Sequence, residues 1–566
     1  MCGIIVIISK KSKLEKKKCF QALDDLKKRG PDNTLFNFFD NGKIFVGNTV
    51  LSITGTQKKN TNLYNNNKNY IAFNGEIYNY KLLQKKLFPK TVFENDTELL
   101  INLVSKFGIK KSPYHLNGMY AFAVYNKNNN SINLVTDPQG EKRFFIFENN
   151  EVIIISSTIK SIKKYVKTLE VSNSKIVEYF STRHLLFYKK TIYKNISLSD
   201  PGTITTIKNL KMKCTFHFNC LKFINKRKYL QLNKMSEKNL ISHFDKLFFD
   251  QLSLMIPDRK FGSIVSGGID SSLVSHYLNK IKKPNILAGI DHVGKDKVIK
   301  NIPIFQKHLK RKIHLIKLNS KKYFLLMKKT YQSFSSPFLT HDYVSRYLVS
   351  KFFRNKGCKV FFSGDGADEL FGGYSLYTKT KWVNGINSSP YSNINTNNKI
   401  ENEKINVLWK KAFKKYSKFL SKREATIQAS LFADYFVQGV SVANIGTDIL
   451  SGENSIETRN LFIQKNIIFN ALNLPLKHKI NLNLNSNFKT KTILKKLFVQ
   501  KFDNNLNKKK QGFSGFPNET FKYLSNDYKN KLNTLKKKLG FNSLNKAKKW
   551  KLLNIFFFNL YCLKKS

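Results

Sequence analysis

Residues 261–278 read FGSIVSGGIDSSLVSHYL, and the folding of this stretch decides the second half of the chain. Phe261 to Val265 is a short apolar run of strand type, while Leu273, Val274, Tyr277, Leu278 and Ile281 recur at helical spacing. The residues between them, Ser266 to Ser272, then form a strand-to-helix loop. A helix opening here offers free backbone N–H groups and the positive end of its dipole. Gly267 and Gly268 let the backbone approach a ligand closely, and Ser266, Ser271 and Ser272 supply hydroxyl donors, which together make a cradle for phosphate. No Gly-Lys-Ser/Thr follows, so this is not a Walker A loop. Asp270 is the discriminating residue. A carboxylate in a phosphate loop repels its ligand unless a cation stands between them, which argues for Mg²⁺.

A second stretch, KVFFSGDGADELFGGY at 359–374, has the same logic. Val360 to Phe362 reads as a strand, followed by Ser363, Gly364 and the acids Asp365, Asp368 and Glu369. At the carboxyl end of a neighbouring parallel strand, this loop faces the first across a crevice. Asp270 and Asp368 are then expected to hold Mg²⁺ on the phosphates of a nucleotide. From about Glu237 onward, NILAGI (285–290) and KIHLIKL (312–318) continue the alternation of strand and helix expected of a parallel α/β sheet. The Asn-rich segments at 384–404 and 480–491 read as loops.

The chain up to about Asn219 is organised differently. GIIVIIS, NYIAFNGEIYNY, MYAFAVYN and EVIIISS are short strands with polar turns between them, interrupted by helical stretches at Lys16–Lys28 and Thr97–Phe107. NLYNNNKNY (62–70) reads as a polar loop. The expectation is a mostly antiparallel, layered α+β unit.

Composition narrows the function classes. The chain has 566 residues, enough for two or more domains, and is 41% apolar, with 47 Phe and 25 Tyr, so it can build sizeable cores. Lys and Arg number 99 against 37 Asp and Glu, a formal net charge of +62. These cations are spread along the whole chain rather than gathered in one stripe, and no zinc-finger, RNP or helix-turn-helix signal accompanies them. A solvated basic surface is expected rather than a nucleic-acid binder. Six Cys without a CxxC pair and ten scattered His without HExxH give no metal-ligand spacing. With no signal-peptide pattern in MCGIIVIISKK and no run near 18 apolar residues, a soluble cytoplasmic protein without membrane insertion is expected. The apolar LLNIFFFNLYCLKK (552–565) is expected as a buried terminal helix.

SGGIDSS together with SGDGADELFGGY resembles the ATP-pyrophosphatase domain of glutamine-hydrolysing asparagine synthetases. MCGI at residues 1–4 resembles their glutaminase half, a class II amidotransferase of the N-terminal-nucleophile type. KKRGPD, FNGEIYN, NDTE, NGMYAFAVY, SSTIKSI, SIETR and KTILK follow in the family's order over most of the chain. The resemblance implies an αββα N-terminal-nucleophile sandwich at 2–215 and an α/β parallel-sheet ATP-pyrophosphatase domain at 236–566. It implies a carbon–nitrogen ligase that takes glutamine, aspartate and ATP, with Mg²⁺, and it allows a homodimer.

Residue roles carry over position by position. Cys2 is the implied nucleophile. Removal of Met1 would leave it both a thiol and a free α-amine, of reference pKa about 8, as its own base. Asn74 and Gly75 line the oxyanion hole, and Glu76 and Asp96 contact the glutamine α-amino group. Ser266, Gly267, Gly268, Ser271, Ser272, Ser363 and Gly364 bind ATP and pyrophosphate, with Asp270 and Asp368 on Mg²⁺. Lys491 matches a lysine that reaches the phosphates; read from composition alone, it is one more exposed lysine of a basic helix. Asp365 matches an acid near the acyl-adenylate that accepts a proton from attacking ammonia.

Several positions depart from the pattern. Val50 replaces the arginine that clamps the glutamine α-carboxylate, a bidentate bond valine cannot make. Ser157-Thr158, Thr136-Asp137-Pro138, Ser335-Ser336 and Arg459-Asn460-Leu461-Phe462 also differ. These departures leave a second acceptor open, a sugar acid in surface polysaccharide assembly.

Overall fold

The computed structural model describes residues 1–566 except 56–61, 67, 183–185, 187–188, 294–297, 375–376, 378–398, 482–488, 503–515, 517–518, 539–545 and 564–566. Its first unit carries strands β1 (Gly3–Ser9), β2 (Asn33–Phe39), β3 (Ile44–Val50), β4 (Tyr64–Asn65), β5 (Asn69–Ile77) and β6 (Gly118–Asn126). It continues with β7 (Ser131–Thr136), β8 (Phe145–Glu148), β9 (Val152–Ser156), β10 (Ile196–Leu198), β11 (Thr203–Lys208) and β12 (Lys211–Phe216). Two sheets result, in the orders β10-β8-β9-β1-β3-β2 and β12-β11-β7-β6-β5-β4. Every pairing within them is antiparallel.

The sequence of β1 explains the layering. All seven residues of GIIVIIS are buried, because alternate side chains enter two different cores. Ile4, Val6 and Ile8 join Ala72, Ala121 and Ala123 of the second sheet. Ile5 and Ile7 join Cys19, Ala22 and Leu23 of helix α1 (Lys16–Asp25). The far face of the second sheet, Ile71, Phe73, Tyr120 and Phe122, meets Leu99, Leu100 and Leu103 of α3 (Asp96–Lys111), which follows α2 (Tyr80–Leu87). Helix, sheet, sheet, helix is the αββα sandwich expected, and each fully buried large aliphatic adds about 1.5–3 kcal/mol.

The second unit is built on β13 (Phe261–Ile264), β14 (Ile286–His292), β15 (Ile313–Leu318), β16 (Val360–Ser363) and β17 (Glu457–Asn460), all parallel and ordered β15-β14-β13-β16-β17. The strand order reverses between β13 and β16, which pair as Phe261↔Val360 and Ser263↔Phe362. A crevice opens at such a switch point, outside the carboxyl ends of the strands.

Local differences from the sequence reading have simple causes. Helix α4 (Ile269–Ile281) starts on Gly268, whose extended backbone caps it, so Asp270, Ser271 and Ser272 lie in its first turn rather than in a loop. Asp368 and Glu369 likewise sit in a short helix, α5 (Ala367–Phe371). α2 and the helix Ile159–Val166 were not expected; the latter starts on Thr158, whose side chain accepts from the Ser161 N–H. Tyr64–Asn65 pairs with β5 instead of remaining loop. Of the Asn-rich stretch at 384–404, residues up to 398 lie outside the described residues, and helix Lys399–Tyr416 begins where a loop was expected. Residues 482–488 of the second loop lie outside as well. The terminal helix Lys546–Phe558 is buried as expected, with Phe557 and Phe558 in one core with Tyr179, Tyr193 and Tyr331. No helix among the described residues is long and apolar enough to cross a membrane.

Candidate active sites

The crevice between β13 and β16 gathers the residues singled out in both loops. Ser266 Oγ lies 2.9 Å from Ser271 Oγ, and Ser271 Oγ accepts from the Ser266 N–H at 3.0 Å, which folds the loop back on the helix start. Ser272 Oγ donates to the Gly268 carbonyl at 2.7 Å. Gly267 has φ 86°, a left-handed backbone that favours glycine. Asn301, not singled out in the sequence, donates to the Gly267 carbonyl at 3.1 Å and pins the turn.

The second loop comes into contact with the first. A Cβ on Gly364 would stand 2.8 Å from the Ser271 nitrogen and 2.9 Å from Asp270 Cβ, so only glycine allows the two turns to approach this closely. Beside that contact, Lys491 Nζ lies 2.6 Å from Asp270 Oδ2 and 2.7 Å from Asp368 Oδ1. Lys491 is buried, not the solvated lysine of a basic helix. Burial works against its charge, yet the two carboxylates outweigh burial and hold the ammonium above its ordinary value.

Asp365 is placed beside a partner that sequence reading missed. Arg346 Nη1 lies 2.6 Å from Asp365 Oδ2, and Arg346 Nε lies 2.8 Å from Asp342 Oδ2. Arg346, Asp365, Ser363 and Thr447 line one small pocket. Arg346 sits within the amphipathic helix Tyr343–Asn355, where a lone arginine reads as solvated. Its half-buried place between two carboxylates shows only in the folded chain.

The second centre lies at the start of β1. Cys2, Val50, Gly75, Glu76 and Asp96 line a common pocket. The Cys2 N–H donates to Asn74 Oδ1 at 3.1 Å. Asn74 Nδ2 is buried with no hydrogen-bond partner, a donor with its capacity unspent. Gly75 is required because a Cβ there would stand 2.1 Å from the Met119 carbonyl on β6. Burial pushes the Cys2 thiol up, with the neighbouring ammonium opposing. Burial lowers the amine of Met1 to about 6. Glu76 Oε2 accepts from Thr54 Oγ1 at 2.6 Å, and Asp96 Oδ2 accepts from the Ile77 N–H at 2.9 Å. Burial raises both carboxyls, Asp96 to about 7.

With this geometry in place, likeness to known proteins can be weighed. Residues 1–218 match the model of a glutamine amidotransferase domain, and residues 244–554, more than half of the chain, match that of asparagine synthase. The chain belongs to the asparagine synthase family. It is 29% identical over 406 residues to an asparagine synthetase-type protein of Methanocaldococcus jannaschii, covering 67% of this chain and 76% of that one. It is 26% identical over 370 residues to asparagine synthetase 1 of Bacillus subtilis, covering 62% of this chain and 54% of that one. The bovine asparagine synthetase is 25% identical over 340 residues, 55% of each chain.

This member of the asparagine synthase family offers a donor set that fits Mg²⁺. Asp270 and Asp368 come from two turns and converge on one cationic atom. Mg²⁺ is commonly held by one or two carboxylates plus phosphate oxygens rather than by an all-protein cage. No larger cluster of potential metal ligands occurs among the described residues. The two units also meet through charge. Arg29 Nη2 and Lys142 Nζ of the first lie 2.8 and 2.6 Å from Asp448 of the second, while Arg29 Nε donates to the Cys2 carbonyl at 2.9 Å. The sequence signal for Arg29 was its place in KKRGPD; Asp448 carried none.

Proposed function

We propose that the chain is a glutamine-dependent asparagine synthetase, converting aspartate, glutamine and ATP to asparagine, glutamate, AMP and diphosphate. The observation that carries this reading is the convergence of Asp270 and Asp368 on a single cation at the sheet's switch point. In the first unit, once Met1 is removed, the Cys2 sulfur attacks the glutamine amide carbon and its proton passes to the neighbouring amine. Asn74 Nδ2 and the Gly75 N–H receive the oxyanion. The C–N bond breaks, ammonia leaves, and water clears the thioester to give glutamate. Glu76 and Asp96 hold the substrate α-ammonium.

In the second unit the aspartate side-chain carboxylate attacks the α-phosphorus, and the bond to diphosphate breaks. Ser266, Gly267, Gly268, Ser271 and Ser272, with Ser363 and Gly364 opposite, hold the leaving diphosphate, and Lys491 reaches it. Asp270 and Asp368 would hold Mg²⁺, which when bound offsets the charge of the phosphate oxygens. Ammonia crosses between the units and attacks the acyl carbon, and AMP leaves. Asp365, oriented by Arg346, takes the surplus proton. Enclosing both sites keeps water from the adenylate.

The test is diphosphate release with aspartate, glutamate and uronic acids in turn, each with glutamine and with ammonia as nitrogen donor. Aspartate alone should support release with both donors. Release with a uronic acid and not with aspartate would move the chain to the sugar-acid reading.

Val50 gives a separate prediction. It is 5% exposed at the end of β3, in the pocket of Cys2 and Glu76. Val50→Arg should lower the KM for glutamine by about 10- to 100-fold, the worth of a charge-assisted bidentate bond. A KM unchanged in steady-state glutaminase kinetics would remove Val50 from the account of donor binding.

A further inference from the structure

The last strand of the second unit's sheet reaches into the pocket of the first. Arg459 on β17 is 1% exposed, and its Nη2 lies 3.3 Å from Glu76 Oε2. Its Nε donates to Glu457 Oε1 at 2.8 Å, its Nη1 donates to the Met255 carbonyl, and its guanidinium lies over the Tyr78 ring at 5.2 Å. The contact with Glu76 is an ion pair rather than a hydrogen bond, while Glu457 and the Met255 carbonyl take hydrogen bonds from the guanidinium. The same Glu76 oxygen accepts from Thr54 Oγ1 at 2.6 Å.

The charges around Glu76 explain why a cation is needed. Asp96 faces it from α3 and Glu457 from β17, both like charges, and Arg459 is the opposing one. A buried carboxyl among two others takes up a proton unless a cation offsets them. Protonated, Glu76 could not hold an α-ammonium. An arginine keeps its charge across the working pH range, so its effect does not fade as a lysine's could. For Arg459 itself, burial opposes the charge, while Glu457, Glu76 and the Tyr78 hydroxyl favour it.

We propose that Arg459 is a positioning residue for the amide-donor pocket: reaching across from the second unit, it sets its cation against Glu76 and aims that carboxyl at the donor's α-ammonium. The first unit's pocket is then complete only when the second unit is docked on it. β17 is also tied to the nucleotide turn, since Arg459 pairs with Phe362 and Asn460 with Ser363 on β16. This inference rests on the reading of Glu76 given under the proposed function.

The test measures glutamine KM and kcat for the full chain between pH 6.5 and 9, in wild type, Arg459→Gln, Arg459→Lys, Glu76→Gln and the double variant E76Q/R459Q. KM does not depend on how much of a preparation is folded, so it separates positioning from general damage. Losing the cation raises the Glu76 pKa, so binding is lost at low pH and recovered as pH rises through the new value. Arg459→Gln should raise KM about 10- to 100-fold at pH 7, with KM falling toward wild type by pH 9, and Arg459→Lys should restore most of it. The double variant should match Glu76→Gln alone, because the two residues act as one unit. A KM unchanged in Arg459→Gln, or effects of the two changes that simply multiply, would overturn the inference. If Arg459→Gln does not fold, the double variant, which lacks the buried unpaired carboxylate, and Arg459→Lys decide it on the same criteria. An unchanged KM in Glu76→Gln would instead refute the underlying reading of Glu76.

Discussion

On the proposed function, Cys2→Ala should abolish glutamine-driven amide formation, lowering it by roughly four orders of magnitude or more, and should leave ammonia-driven formation in place. Among the described residues, no second cysteine lines the Cys2 pocket. Cys19 is buried in a different core, behind the first sheet, where burial pushes its thiol up to about 12. The alanine side chain fits the same space, and the Cys2 N–H still reaches Asn74, so the sandwich should keep its fold. The second unit's crevice is built from β13, β16 and the Lys491 turn, none of which contacts the Cys2 side chain. The check is asparagine formation with each donor and the same enzyme preparation. Equal loss with both donors would mean that the first unit does more than supply ammonia.

Asp270→Asn and Asp368→Asn should behave in the opposite way, each cutting diphosphate release by about 100-fold or more with either donor. Both carboxylates meet one cation, Lys491 Nζ, so removing either charge unbalances that group. The partner change is as informative. Lys491→Met leaves Asp270 and Asp368 facing each other without the ammonium they share, which costs about 3–5 kcal/mol. Mg²⁺ should return part of that stability in a thermal melt, because a ligand that binds only the folded state raises the midpoint. A variant indifferent to Mg²⁺ would separate these two carboxylates from any metal role.

The parts of both centres carried by local sequence could be read in advance. A glycine pair, a helix start and an out-of-place acid pointed to the turn at 266–272 without reference to the rest of the chain. The strands on either side were legible because apolar runs bounded by turns have few alternatives. What escaped was set by docking. Arg459 and Asp448 touch the first unit from the second, and the half-buried Arg346 is paired with Asp365 and Asp342. Side-chain type alone does not separate such residues from the many solvated cations of this basic chain. Lys491 was found through KTILK, not through physics, since its left-handed backbone at φ 50° and its place between two carboxylates have no local signature. The start of α4 was misplaced by a few residues because glycine is a weaker helix-cap signal than serine or aspartate.

The account depends on one nucleotide lying across the two turns with its α-phosphorus open to a carboxylate. Turnover of aspartate labelled with ¹⁸O in its side-chain carboxylate, with mass analysis of the nucleotide products, tests this most directly. Transfer of one labelled oxygen to AMP for each asparagine formed is the predicted result. Label in inorganic phosphate, with ADP as the other product, would place the attack at the γ-phosphorus and contradict it.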